Sequence, residues 1–361
     1  MRIARIDVPL TATVLAAVLA YYQGCIAAQS AQMARAQLWY LAAGLASGLA
    51  VLLKGPIGLA LIVTACGSWW LLQRPRLPML AIPIFLLSAA AVSLPWCLWA
   101  NHLTDGEWFR VFILHHNLAR YRGTSPLLAS HPWWFYLVRG SVDLLPWSPL
   151  LVVSLIYAWR SGLWKQDHLW QLGMAGFAGI LLLLSSAQFK RADYLLPAYP
   201  FAALAIGCTA QHWLRHHELR YQPRCPHAAV LVFHTAWIAT ALGWIVYIGW
   251  IEPRQHKQAD YASFAAAIRQ QAPAPHLILQ FRMESHLLSF HLGMPVETLV
   301  EWHDLQRRLS ETPRPHFVVM PREYVYPAMQ ILAQYHWLPR NHAPLDVDRR
   351  SAREYVFLQV E

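Results

Sequence analysis

Most residues in this chain that could do chemistry are cations set between apolar blocks. Lys54 stands in a Lys54-Gly55-Pro56 turn, Arg110, Arg120, Arg122 and Arg139 share the stretch 100–142, and Lys190-Arg191 lie within 186–193. Arg2 and Arg5 precede the first apolar block. Lysine and arginine hold phosphate through charge-assisted hydrogen bonds. Gathered at one membrane face, they would bind an anion there, and a phosphate on a lipid carrier suits that place. The carboxylates on the same side are Asp7, Asp105, Glu107, Asp143 and Asp193, each readable as a helix cap or a solvated charge. Asp105 and Glu107, two residues apart, would diverge on a helix. The adjacent His115 and His116 would also point apart, so they read as interfacial or substrate contacts rather than a metal pair.

Composition dictates the elements that must position these groups. Of 361 residues, 57% are hydrophobic and 13% charged, about half the roughly 25% charge of a soluble domain. The deficit lies between Val8 and Trp250, in apolar blocks of 15–23 residues. A helix needs ~20 residues to cross the hydrocarbon of a bilayer, and most of the blocks lack the polar stripe of a soluble core helix. The sequence therefore predicts an α-helical multi-span membrane bundle with eight spans, at 8–28, 38–53, 57–73, 79–99, 143–160, 168–185, 194–210 and 228–250. Gly55 and Pro56 should break the second from the third in a tight hairpin. Loop 100–142 is long, and its segment Trp108–Leu114 reads as an interfacial amphipathic helix.

Eight spans place loops 29–37, 74–78, 160–167 and 211–227 on one side. These carry Arg35; Arg74 and Arg76; Arg160 and Lys165; Arg215, Arg220 and Arg224. Short basic loops are cytoplasmic. The termini, the Lys54 turn, loop 100–142 and loop 186–193 then face outward. Cations on that outer side admit two explanations, an anion site there or an inverted topology. The net charge of +10 belongs to loops; without a basic helix or finger motif it predicts no nucleic-acid partner. The five cysteines include no CxxC pair and read as apolar filler.

After Glu252 the composition becomes that of a soluble domain. His276–Phe281, His316–Met320 and Tyr355–Val360 read as strands; Met283–His291, Trp302–Leu309 and Tyr324–Ala333 read as helices. Strands alternating with helices predict a small α/β domain. The expected division is thus a membrane region, 1–251, and a C-terminal domain, 252–361. That domain carries no Gly-rich phosphate loop or nucleophile elbow, which favours a structural or gating role.

A series of short motifs then falls in a recognisable order: Ile6-Asp7-Val8-Pro9, Leu53-Lys54-Gly55-Pro56, Leu94-Pro95-Trp96, Pro132-Trp133-Trp134-Phe135-Tyr136, Leu145-Pro146-Trp147 and Phe189-Lys190-Arg191-Ala192-Asp193-Tyr194-Leu195-Leu196-Pro197. In order and spacing the chain resembles the bacterial lipid-phosphate-sugar glycosyltransferases of the protein mannosyltransferase and aminoarabinose transferase superfamily. The resemblance runs over most of residues 1–250. It implies a GT-C-like bundle in the bacterial inner membrane, with the C-terminal domain periplasmic. It also implies inverting transfer of a sugar from a polyprenyl-phosphate donor to a glycolipid or protein acceptor outside. By the same resemblance Lys54, Arg120 and Lys190, with Arg191 beside it, would hold the donor phosphate. His116, Asn117 and Tyr194 would be substrate-site positions. Asp7 matches an aspartate just before a span and is the weak candidate for the base.

Such a transfer needs a base to deprotonate the acceptor and cations to stabilise the phosphate as the sugar leaves. The family's acidic outer loop has no counterpart here. The principal base is therefore expected upstream of Met1, in a segment this sequence lacks, and the activity of the chain alone is in question. No cofactor is predicted; a divalent metal stays open. A non-catalytic membrane scaffold or a degenerate transferase is the alternative reading. A transporter is the other; it would need ionisable residues within spans or inverted repeats, and the sequence shows no internal repeat.

Overall fold

A computed structural model of the protein describes residues 6–122, 131–220, 226–251, 254, 261–272, 277–283, 286–294, 296–311, 315–333, 339–340 and 355–360. Some side chains within these ranges, including those of His115, His116 and Arg120, lie outside the description. Two compact units are present, Arg2–Leu231 and Val232–Glu361.

The first unit is helical. Helices α1 (Asp7–Gln29), α2 (Met33–Lys54), α3 (Pro56–Gln73) and α4 (Ala81–Leu103) follow one another through short turns. A π-type helix, Phe109–Ala119, comes next, then α5 (Phe135–Asp143), α6 (Ser148–Ser161) and α7 (His168–Ser186). A 3-10 segment, Ala192–Ala198, leads into α8 (Tyr199–Arg220), and α9 (Pro226–Val246) follows, the division between the units falling within it after Leu231. Five of these helices, α1 to α4 and α7, are long and apolar enough to cross a membrane, and six if α5 and α6 form one broken span. The protein is a multi-pass membrane protein. Its surface agrees: Leu72, Leu87, Trp159 and Leu182 are all exposed, as side chains facing lipid must be.

The interior is built on α1, α2, α3 and α7. Leu10, Val14, Val18, Tyr40, Leu61, Ile62, Leu172 and Ile180 are buried together. Between α2 and α4 small residues let the backbones approach: a β-carbon on Gly44 would overlap Ser88 Oγ and the Phe85 carbonyl, and one on Gly48 would lie 2.7 Å from the Ala89 carbonyl oxygen. Two glycines four apart on one helix face are the small-residue packing device of membrane helices. Deeper in the sequence, Asp167 caps α7 by accepting from the backbone N–H groups of Leu169 and Trp170, satisfying donors that a helix start leaves open.

Two expectations need correction. The span placed at 143–160 is occupied from Ser148 by α6, 14 residues long, which is bent by 105° from α5 ending at Asp143; Pro146 lies in the break and Pro149 in the first turn of α6, and neither can donate to a continuing helix. The span placed at 194–210 opens as the 3-10 segment, with Pro197 inside it, and becomes α-helical from Tyr199. The helix read from Trp108–Leu114 is present over residues 109–119, wound as a π-type helix, and the Asn117 side chain donates to the Phe112 carbonyl five residues back at 2.7 Å.

The second unit holds a five-stranded sheet in the order β2-β1-β3-β5-β4, made of β1 (Ile278–Phe281), β2 (Val296–Leu299), β3 (His316–Pro321), β4 (Pro339–Arg340) and β5 (Tyr355–Val360). β1 runs parallel to β2 and β3, with Ile278 opposite Val296 and Phe317; β5 is antiparallel to β3, with His316 opposite Val360. Helices α10 (Tyr261–Gln271), α11 (His286–Leu292), α12 (Trp302–Glu311) and α13 (Val325–Ala333) complete it. Alternate strand residues face opposite ways. Ile278, Phe317 and Val319 pack with Phe264 and Leu288 on one face, and Leu279, Val318 and Leu358 pack with Leu305 and Ala328 on the other. The three predicted strands and three predicted helices are present, and β2, β4 and α10 add to them.

Candidate functional site

The antiparallel pairing of α1 and α2 brings residues 7 and 54 together. Asp7 opens α1 and Lys54 closes α2. A helix N-terminus favours an anion and a C-terminus a cation, so the two ends carry the charges their dipoles prefer. Asp7 and Lys54 form a salt bridge, with side chains 7% and 18% exposed. Past Lys54 the chain turns at Gly55, whose φ of 71° lies in the left-handed region that favours glycine. A β-carbon there would sit 2.8 Å from the Phe112 ring and 3.3 Å from Asn117 Nδ2. That close approach lays the π-type helix over the end of α2.

A third wall comes from the segment between α7 and α8. Lys54 Nζ lies 4.0 Å from the centroid of the Tyr194 ring, and the Arg191 guanidinium lies 5.8 Å from the same ring. Arg191 Nε also donates to Asp193 at 3.2 Å, and its backbone N–H donates to the Tyr136 hydroxyl at 3.2 Å. Two cations therefore share one aromatic ring, an arrangement worth about 0.5–2 kcal/mol per contact.

Lys190 is used differently. The residue is 3% exposed, and its ammonium donates to the backbone carbonyls of His131, at 2.9 Å, and Ala187. The His131 N–H returns a bond to the Gln188 carbonyl at 3.2 Å. Burial pushes the Lys190 ammonium below the ordinary lysine value, because a charge withdrawn from water is harder to keep. In this conformation Lys190 ties the start of α5 to the chain ahead of Arg191 and Tyr194.

Of the residues singled out in the sequence, Asp7, Lys54, Arg191 and Tyr194 meet, with Asn117 at the adjoining turn. Lys190 sits beside them in the chain but is directed to backbone. Arg120 and His116 carry side chains outside the described residues. Asp7, the weak candidate for the base, is engaged by Lys54 instead. Sequence reasoning did not single out Phe112 or Tyr136, although Tyr136 ends the Pro-Trp-Trp-Phe-Tyr motif that contributed to the resemblance. Asp105, Glu107 and Asp143 belong elsewhere: Glu107 pairs with Arg110 and Asp143 with Arg139. Among the described residues no group of three or more histidine, cysteine or acidic side chains could hold a metal ion.

Two crystal structures of ArnT from Cupriavidus metallidurans, one apo and one bound to undecaprenyl phosphate, superpose on this chain with TM-scores of 0.57 and 0.55. Both alignments cover 98% of this chain and 74% of the other, at 16% sequence identity. The chain has the ArnT fold. Residues 1–104 match the family described as dolichyl-phosphate-mannose-protein mannosyltransferase. Among curated relatives, the undecaprenyl phosphate-alpha-4-amino-4-deoxy-L-arabinose arabinosyl transferase 1 of Pseudomonas fluorescens is 30% identical over 183 residues, 49% of this chain and 31% of its own length. The corresponding transferase of Edwardsiella ictaluri is 34% identical over 173 residues, 46% of this chain and 30% of its length. That of Erwinia tasmaniensis is 31% identical over 218 residues, 60% and 36% respectively. The chain spans about a third of the length of these relatives.

The resemblance read from motif order is therefore borne out, and with it the GT-C-like bundle bearing a small C-terminal α/β domain. Within the ArnT-like fold, the cluster at the end of α1 and α2 is built by motifs far apart in sequence. Asp7-Val8-Pro9, Lys54-Gly55-Pro56 and Lys190–Pro197 each supply a wall, and each starts or ends a helix.

Proposed function

We propose that the chain acts in the bacterial inner membrane as part of a glycosyltransferase, moving a sugar from a polyprenyl-phosphate donor to a glycolipid or protein acceptor on the periplasmic side. The observation that carries this reading is the convergence of Lys54, Arg191 and Tyr194 at one end of the bundle, in a chain with the ArnT fold. Both cations are placed to bond phosphate oxygens, and the Tyr194 hydroxyl can donate a further bond. Phosphate leaves without being protonated, so cations fixed where its charge grows supply the stabilisation the step requires. Arg120 belongs to the same proposed set by its place in the motif order. Lys190 contributes by holding the segment that carries Arg191 and Tyr194, His116 and Asn117 belong to the proposed substrate site by their place in the motif order, and the C-terminal domain is periplasmic.

One observation favours a second reading, a donor-binding membrane protein without transfer. The carboxylates of the cluster, Asp7 and Asp193, are each paired with a cation, which leaves neither of them poised as the acceptor's base. A single assay separates the two. The chain is reconstituted in vesicles with a polyprenyl-phosphate sugar and a phosphorylated glycolipid acceptor, and both bound donor and released polyprenyl phosphate are measured. Transfer predicts release that falls about 10²-fold or more in Lys54→Ala and Arg191→Ala. Binding without release establishes the second reading, and release unaffected by either substitution removes the phosphate assignment.

A further inference from the structure

The second unit has a feature that the transfer reaction does not use. In the sheet order β2-β1-β3 the chain leaves β1 for α11 on one face and β3 for α13 on the other. Parallel sheets open a crevice at the carboxyl ends of strands whose connections part in this way, and ligands bind there. Three loops meet at that edge. Arg282 directly follows β1, Trp302 lies three residues past β2, and Tyr324 three residues past β3.

Arg282 is held there in a conformation an ordinary side chain avoids. Its φ is 53°, in the left-handed region, which costs a non-glycine residue of order 1–3 kcal/mol and clusters at binding sites. Its backbone N–H donates to the Leu299 carbonyl at 2.8 Å, and its Nε donates to the Val300 carbonyl at 3.0 Å. The guanidinium thus spans from the end of β1 to the end of β2. It lies 5.7 Å from the Trp302 ring centroid and 5.1 Å from that of Tyr324, both partly exposed. Among the described residues only the Nε donor of its five N–H groups is taken, and no carboxylate pairs with it. A half-buried cation pinned by strained backbone, with no partner for its two Nη groups among the described residues and two partly exposed aromatic rings within about 6 Å, is arranged as a receptor for something outside the chain.

We propose that this crevice binds a sugar carrying an oxyanion, such as a hexose phosphate unit of a glycan. The planar fork of Nη1 and Nη2 matches two oxygens of a phosphate or carboxylate. Trp302 and Tyr324 offer apolar ring faces to the C–H face of the sugar, with polar edges for its hydroxyls. Neither element alone defines the ligand. The fork selects for charge, and the rings select for a sugar over a bare ion. This site stands apart from the donor-phosphate reading and does not depend on it.

Equilibrium dialysis of the full chain in detergent against radiolabelled glucose 6-phosphate tests the assignment, with glucose and inorganic phosphate as comparison ligands. The chain should bind glucose 6-phosphate saturably and at least tenfold more tightly than either comparison. Arg282→Asn, chosen because asparagine tolerates left-handed backbone, should weaken that binding at least tenfold. Arg282→Lys should recover only part of it, and Trp302→Ala should remove the preference over inorganic phosphate. Intact folding of each variant is read from its thermal transition, and the lysine variant keeps the test open should the asparagine one fail to fold. Lack of saturable binding overturns the proposal. So does equal affinity for glucose, or for inorganic phosphate, and so does unchanged affinity in Arg282→Asn alongside unchanged affinity in Arg282→Lys.

Discussion

The Asp7–Lys54 pair allows a quantitative test of how the end of the bundle is held. At an effective dielectric of ~20, unit charges about 4 Å apart attract by about 4 kcal/mol, and removing one partner of a buried pair costs about 3–5 kcal/mol. Lys54→Met leaves the Asp7 carboxylate, 7% exposed, without its cation. It should lose stability in the upper part of that range. Asp7→Asn should cost less, about 1–3 kcal/mol, because the ammonium keeps the Tyr194 ring at 4.0 Å and has more access to solvent. The double variant removes both charges, so its cost should fall short of the sum by at least about 2 kcal/mol. Unfolding free energies of the four proteins, measured by pulse proteolysis in bicelles, close the cycle. Losses that add to within about 0.5 kcal/mol would show that the charges do not interact and refute this account of the site.

The packing of α2 on α4 predicts that Gly44→Leu, which drives a side chain into Ser88 and the Phe85 carbonyl, lowers the thermal transition strongly, whereas Gly207→Leu, with open space around it, should leave it nearly unchanged; equal effects would contradict the packing. For Lys190 the folded value lies below the ordinary 10.5, so the folded state releases its proton before the unfolded state does. The unfolded chain binds more protons in the window just under 10.5, and stability contributed by this residue should rise as pH climbs through it. The penalty is fully present below the folded value. Lys190→Met should abolish that rise, and unfolding measured between about pH 8 and 10.5 that keeps the same slope in both proteins would count against burial as the cause.

How much of this was legible in the sequence differs by scale. Apolar runs near 20 residues force membrane helices because the bilayer leaves backbone groups no other partner, and α1 to α4 and α7 were visible for that reason. Lys54-Gly55-Pro56 announced its own turn. Breaks that depend on how helices lean on one another were less visible. Residues 143–160 have the composition of one span, yet Pro146 and Pro149 divide it from α5, and Gly140 packs so close to Leu195 that a β-carbon would lie 2.8 Å from it. In the second unit, β2 carries only four residues and an open face, too little alternation to read. The candidate site was legible as a set of residue types but not as a set of contacts. Nothing in the letters Phe-Lys-Arg-Ala-Asp distinguishes a lysine that meets a ligand from one that donates to two carbonyls.

That distinction shapes how the cluster should be understood. Asp7 answers Lys54 and Asp193 answers Arg191, so the cations around Tyr194 already hold acidic partners. Buried cations need partners, since an isolated charge inside a protein costs several kcal/mol. A site meant for phosphate must therefore satisfy its cations while it waits, without binding them so firmly that phosphate cannot compete. Side-chain carboxylates do this well: each brings a single negative charge, and a phosphate arriving with more charge and more acceptor oxygens can displace them. On the proposed reading, the acidic residues of these motifs would keep the cluster folded while no phosphate is bound. Exchange of the Asp7 carboxylate for the proposed donor phosphate at Lys54 would link the stability of the bundle end to donor occupancy.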